Sequence, residues 1–231
     1  MPLLGALLAI VAAGCAPETA SAPALMRVDH LVYAGPDLDA AVERVEALLG
    51  IRATPGGEHP GEGTRNALIA LGPEVYLEIL GPDPRQPGGA GPRWFRVDLP
   101  DAPRLVAWAA KGRNLEEIAA QAARGGIGLG SVLSGGRRRP DGAVLSWRFT
   151  DPHTLISDGL VPFFIDWGRS PHPAATAAPG ATLVGLRAEH PEPRSVEGAL
   201  RRLGVDLPVT RGTAPALIAV IRSPRGLVEL R

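Results

Sequence analysis

The chain has 231 residues with 24 basic and 24 acidic side chains, so its formal net charge of zero gives no electrostatic basis for binding nucleic acid or an anionic membrane. Glycine (29) and proline (24) make up nearly a quarter of the residues, yet 45% of the chain is hydrophobic. That excludes a disordered polypeptide and predicts short elements with frequent breaks, in one large domain or two small ones. Lys111 is the only lysine, so Schiff-base chemistry has a single candidate.

Residues 1–25 differ from all that follows. They hold no Lys or Arg, and their apolar run from Leu3 to Ala13 is too short to span a membrane but has the length of a signal-peptide core. Two readings stand. Ala12-Ala13-Gly14-Cys15 resembles the lipobox at which bacterial lipoproteins are cleaved and acylated, which would anchor the chain to a membrane through Cys15. Alternatively, translation begins at Met26 and the upstream stretch is a misassigned start. The missing N-terminal positive charge favours the second, a cytoplasmic protein. With one cysteine no intramolecular disulfide can form.

From residue 26 to 231 the chain repeats one pattern three times, in modules of about 27–81, 103–168 and 181–231. The first opens with the strand VDHLVYAG and continues into a helix, LDAAVERVEALLG. Its apolar residues Leu38, Ala41, Val42, Val45, Leu48 and Leu49 fall at helical spacing, with Asp37 as N-cap and Gly50 past the end. Three strands follow: IRAT, RNALIALG after the loop GGEHPGEG, and EVYLEILG. The second module reads as RLVAWAAKG, a helix NLEEIAAQAARGG capped by Asn114, then IGLGSVLSG, GAVLSWRFTD and LVPFFIDWG. The third reads as ATLVGLRAEH, the helix PRSVEGALRRLG, then DLPVTR, PALIAVIRS and GLVELR. Pro/Gly-rich stretches, 82–101 and 169–180, connect them.

These strings carry a resemblance. DHLVYAGPDLDAAVERVEALLG followed by EVYLEIL resembles the opening module of the vicinal oxygen chelate superfamily (glyoxalase/bleomycin resistance/dioxygenase). GGEHPGEGTRNALIALG, RPDGAVLSWRFTD and PFFIDWGRSPHP resemble its glyoxalase-like branch. The resemblance implies an α+β fold in which repeated βαβββ modules form a curved mixed sheet around a concavity that holds a divalent metal. It also implies a small-molecule ligand, and it allows a homodimer.

By that resemblance His30 in the first strand and Glu78 in the last strand of the first module are metal ligands, with Glu78 also able to exchange protons with substrate. Glu78 interrupts an apolar strand, where an unpaired carboxylate would be costly to bury. A strand histidine is as readily a hydrogen-bonded core residue. The second module places Ala107 and Ile165, which cannot bind metal, at the corresponding positions, and the third places Gly185 in its first strand and Glu229 in its last. A His30, Glu78, Glu229 set therefore needs the first and third modules to meet; if the first pairs with the second, only two ligands remain.

His59, Thr64 and Asn66 in the Gly-rich loop are candidate substrate-binding residues, or else cap their own turn. Trp147 and Trp167 are candidate pocket walls, with Arg148 on the opposite face from Trp147. His153, His172 and His190 read as turn or connector residues without a catalytic role. G-x-S-x-G, GxxxxGK[ST], CxxC and HExxH are all absent, which removes nucleophilic and nucleotide-driven mechanisms. Two functions follow: a metal-dependent lyase or isomerase acting on a small oxygenated substrate, or a metal-free protein that sequesters a small molecule in the same cleft.

Overall fold

The computed structural model describes residues 22–86, 93–97 and 102–231. Residues 1–21, with Cys15 and the candidate leader or misassigned start, lie outside the described residues.

The first module is β1 (Val28–Ala34), α1 (Leu38–Leu49), β2 (Thr54–His59), β3 (Thr64–Gly72) and β4 (Val75–Pro82). The second is β5 (Arg104–Lys111), α2 (Leu115–Arg124), β6 (Val132–Arg138), β7 (Val144–Thr150) and β8 (Phe163–Asp166). The third is β9 (Thr182–His190), α3 (Pro193–Arg202), β10 (Val209–Arg211), β11 (Ala216–Ser223) and β12 (Gly226–Leu230).

Helix α1 starts where Asp37 accepts from the backbone N–H groups of Asp39 and Ala40, and ends at Gly50 in the left-handed region (φ 71°). Its buried face is Leu38, Ala41, Val42, Val45 and Leu49. Asn114 does not cap α2 through its side chain. Its backbone is itself left-handed (φ 53°), not in the extended conformation from which a capping side chain reaches the first turn.

Eight strands close into a barrel in the order β1-β4-β3-β2-β6-β7-β8-β5. The curved sheet therefore closes by pairing the first module with the second. β1 lies antiparallel to β5, with His30 opposite Ala109 and Val32 opposite Ala107. The other seam is one pair, Glu58 opposite Arg138, between β2 and β6.

Two strand boundaries differ from the sequence reading, both at this seam. β2 begins at Thr54 and runs through the supposed loop to His59, and β6 runs past Gly135-Gly136 to Arg138. The close approach of the two strands is the reason. A Cβ on Gly57 would stand 2.0 Å from the Arg138 carbonyl oxygen, and one on Gly56 would stand 2.2 Å from Asn66 Oδ1. Glycines that read as turn punctuation are therefore positions of close approach, by backbone at Gly57 and by the Asn66 side chain at Gly56.

The third module forms its own four-stranded sheet, β10-β9-β11-β12. Its Leu186, Ala188, Leu217, Ala219 and Ile221 join the outer core shared with α1 and with Leu31 and Tyr33 of β1. Strand alternation sends Val32 and Ala34 to a second, interior cluster with Leu80, Trp147, Phe149 and Phe163. Each fully buried aliphatic or aromatic side chain contributes about 1.5 to 3 kcal/mol. No helix among the described residues is long and apolar enough to cross a membrane.

Candidate functional site

The barrel interior is apolar except on the first-module side, where His30, His59, Asn66 and Glu78 are buried together with Arg137 from β6. A register shift between Val28 and His30 opposite β5 leaves Asp29 in a bulge. Its carboxylate thereby meets the neighbouring imidazole, with His30 Nδ1 at 2.8 Å from Asp29 Oδ1. Asp29 also accepts from Trp167 Nε1 at 3.1 Å and lies 3.3 Å from His172 Nε2. Burial pushes its carboxyl up, but hydrogen bonds from His172 and His30 outweigh burial and bring it down to about 2. With Nδ1 donating to Asp29, His30 turns Nε2 toward Glu78 Oε2, 3.7 Å away.

The other Glu78 oxygen is already engaged. Arg137 Nη1 donates to Asn66 Oδ1 at 3.2 Å, which fixes the orientation of the amide. Asn66 Nδ2 then donates to Glu78 Oε1 at 2.5 Å and faces His59 Nε2 at 3.4 Å. This makes Nε2 the acceptor on His59 and leaves Nδ1 to donate to Thr64 Oγ1, 2.9 Å away. Burial, opposed by the Glu78 charge and assisted by that of Arg137, brings His59 down to about 4, so its ring is neutral at pH 7. Arg137 is 3% exposed, and its Nε has no hydrogen-bond partner.

Trp94, Phe95, Trp147, Phe149, Phe163 and Trp167 complete the wall, leaving a cavity of about 20 Å³, room for about one water. His30 stacks on Tyr76 (4.6 Å between ring centroids), and His59 packs against Trp94 (5.0 Å). Trp94 and Phe95 belong to the connector after the first module and fill the volume a ligand would need.

The structure thus brings together His30, Glu78, His59, Thr64, Asn66, Trp147 and Trp167. It does not bring Glu229 to them. That residue stands in the separate third-module sheet, half exposed, with its carboxylate 2.8 Å from Arg187 Nη2. The three-ligand set is not formed, because the first module pairs with the second. His59, Thr64 and Asn66 do not cap a turn; they sit at the ends of β2 and β3 and bond to one another. His172, read as a connector residue, supports Asp29. Arg137 was missed, since Gly-Gly-Arg-Arg-Arg-Pro-Asp-Gly reads as a turn; the only hint was the apolar Val132-Leu133 leading into it. Arg148 lies on the outer face, paired with Glu116.

A divalent metal does not fit these residues. Asn66 takes up Glu78 Oε1 and the free nitrogen of His59, the inner positions of β5 and β8 are Ala107, Ala109, Phe163 and Ile165, and Arg137 adds a buried positive charge. Among the described residues no group of three His, Cys, Asp or Glu is arranged to hold a metal ion. What remains is an imidazole and one carboxylate oxygen.

The profile of the Glyoxalase-like domain family matches residues 28–204, from β1 through α3. The chain belongs to that family. With it, the chain joins the vicinal oxygen chelate superfamily. A hypothetical protein from Staphylococcus aureus aligns with this glyoxalase-like chain at 13% identity and a TM-score of 0.62, covering 86% of this chain and 91% of that one, a likeness of fold alone. Methylmalonyl-CoA epimerase from Streptomyces coelicolor, in complex with 2-nitronate-propionyl-CoA, aligns at 23% identity over 60% of this chain and 95% of its own, with a TM-score of 0.40. The Mycobacterium tuberculosis methylmalonyl-CoA epimerase aligns at 18% over 62% and 87%, with a TM-score of 0.38. No curated protein matches the chain by sequence.

Proposed function

We propose that this glyoxalase-like chain is a metal-independent small-molecule binding protein whose ligand carries oxygen atoms and enters the barrel interior when Trp94 and Phe95 move aside. The observation that carries this reading is the Asn66 amide, which stands between Glu78 and His59 with its orientation set by Arg137. In this arrangement the polar groups facing a ligand are the His30 imidazole, Glu78 Oε2 and the Arg137 guanidinium. A cationic donor beside an imidazole and a carboxylate suits a ligand with a carboxylate or carbonyl oxygen at one end and an apolar body against the tryptophans.

Metal analysis of protein purified without chelator, beside His30→Ala and Glu78→Gln, tests the reading. Metal well below one equivalent and equal in all three supports it. Near-stoichiometric metal that both variants lose overturns it and restores the metal-dependent lyase or isomerase.

A second reading rests on the Asp29–His30 pair. A carboxylate-oriented imidazole facing Glu78 at 3.7 Å is arranged to move a proton, so the same pocket would act as a metal-free acid–base site. Deuterium exchange into bound ligand, abolished by Glu78→Gln with binding retained, distinguishes catalysis from sequestration. For localisation the reading stays with the cytoplasm, supported by the lack of Lys or Arg before Arg27. Mass spectrometry of the mature N-terminus would instead find an acylated Cys15 if the chain is membrane-anchored.

A further inference from the structure

Outside the barrel, over the single-pair seam between β2 and β6, lies a groove of about 750 Å³, within the range of small-molecule sites. Arginine makes up about a tenth of the chain, yet it supplies five of the seventeen residues lining this groove: Arg52, Arg65, Arg85, Arg138 and Arg139. Two carboxylates, Asp39 and Glu58, line it with them. A general excess of arginine over lysine does not account for that concentration in one concavity of a chain whose net charge is zero.

The pairing of these arginines leaves donors for a ligand. Arg138 has no ion-pair partner among the described residues. Arg65 reaches Asp39 through Nη2 at 3.0 Å, but its Nε is buried with no partner. Arg52 pairs with Glu46 and Arg139 with Asp141, both as partly exposed surface pairs, whereas Arg85 is held by the buried Asp83 as well as by Glu58. Exposed pairs of that kind are weak and readily exchanged for a more highly charged oxyanion. The planar guanidinium fork matches phosphate oxygens two at a time.

We infer that this groove is a binding site for the phosphoryl end of a small molecule. The half-open concavity, walled by the first turn of α1, β2 and the β6–β7 hairpin, fits a compact phosphate or diphosphate and not a nucleic-acid strand, which would need an extended basic track. Asn66 lines both this groove and the interior cavity, so the two sites share a wall. The inference does not depend on how the interior is used.

Titration calorimetry of the full chain with inorganic pyrophosphate tests it, with citrate as the polycarboxylate control. The expected result is saturable one-to-one binding that weakens at least tenfold in Arg138→Ala/Arg139→Ala and in Arg52→Ala. Arg187→Ala in the third module leaves it unchanged. Arg52 and Arg138 are exposed and Arg139 is half-buried, and a thermal melt of each variant, with Arg138→Glu as a second groove variant, separates lost binding from lost folding. No saturable binding, or binding equal in all groove variants, overturns the site. Citrate binding as tightly as pyrophosphate, and lost with the same variants, overturns the phosphoryl assignment.

Discussion

The first and second modules share their strand order and a helix in the same place, yet they equip the barrel interior in opposite ways. The first sends His30, His59, Asn66 and Glu78 inward; the second sends Ala107, Ala109, Trp147, Phe163, Ile165 and Trp167, with one buried arginine. The difference shows that module pairing needs only apolar volume and alternation, whereas ligand chemistry is free to sit on one side. It also shows how a cavity can gain a charge from the apolar half: Arg137 comes from β6 and is held by Asn66 of the first module.

Matched lesions on the two sides should separate the halves most strongly. Asn66→Leu leaves a Glu78 oxygen, the His59 acceptor and an Arg137 donor unpaired, and should cost about 3 to 5 kcal/mol in guanidinium unfolding. Ile165→Val, on the apolar side, should cost about 0.5 to 1.5 kcal/mol. Equal losses would break the comparison.

The next largest effect is a pH dependence. His59 titrates at about 4 in the folded chain against a reference near 6.5, so as pH falls the unfolded chain takes up the proton first. Its contribution is full above pH 6.5 and is lost as pH falls toward 4, amounting to about 2 to 3 kcal/mol. Asp29, lowered from 3.8 to about 2, adds a loss only below pH 4. Urea midpoints between pH 7 and 4.5 should therefore fall in the native chain and fall less in His59→Gln.

Smaller still is the seam. Gly57→Ala meets the Arg138 carbonyl at a backbone angle of φ 143°, and should cost about 1 to 3 kcal/mol while raising hydrogen exchange along β2 and β6. Faster exchange along β1 and β5 instead would place the weak seam on the wrong side. The smallest effect belongs to the third module, where Glu229→Gln removes an exposed ion pair with Arg187 and should change stability by no more than about 0.5 kcal/mol. A large loss of ligand binding in that variant would return Glu229 to the site.

Much of the architecture was legible because it is written in local patterns. The alternation of VDHLVYA, the Asp37 and Gly50 caps and the apolar stripe of α1 each follow from neighbouring residues, and the βαβββ repeat follows from their order. His30 and Glu78 were picked out through the family resemblance, Glu78 also as a lone carboxylate in the apolar strand VYLEIL. The strand ends at His59 and Arg137 were not legible, because glycines chosen for close backbone approach look the same in sequence as glycines chosen for a turn. Asn114 misled for a related reason: its residue type suits a cap, but its backbone conformation rules out the capping bond.

By itself the sequence determined a strand–helix pattern met three times, while His30 and Glu78 entered as site residues only through the family resemblance. Only the tertiary structure decided that the first module closes on the second, which excluded Glu229, and that Arg137 reaches Asn66 from 71 residues away. The physical reason is range. Periodicity and capping are settled within a few residues, whereas the partner of a buried polar group is settled by which strands pack edge to edge, and that depends on shape across the whole barrel.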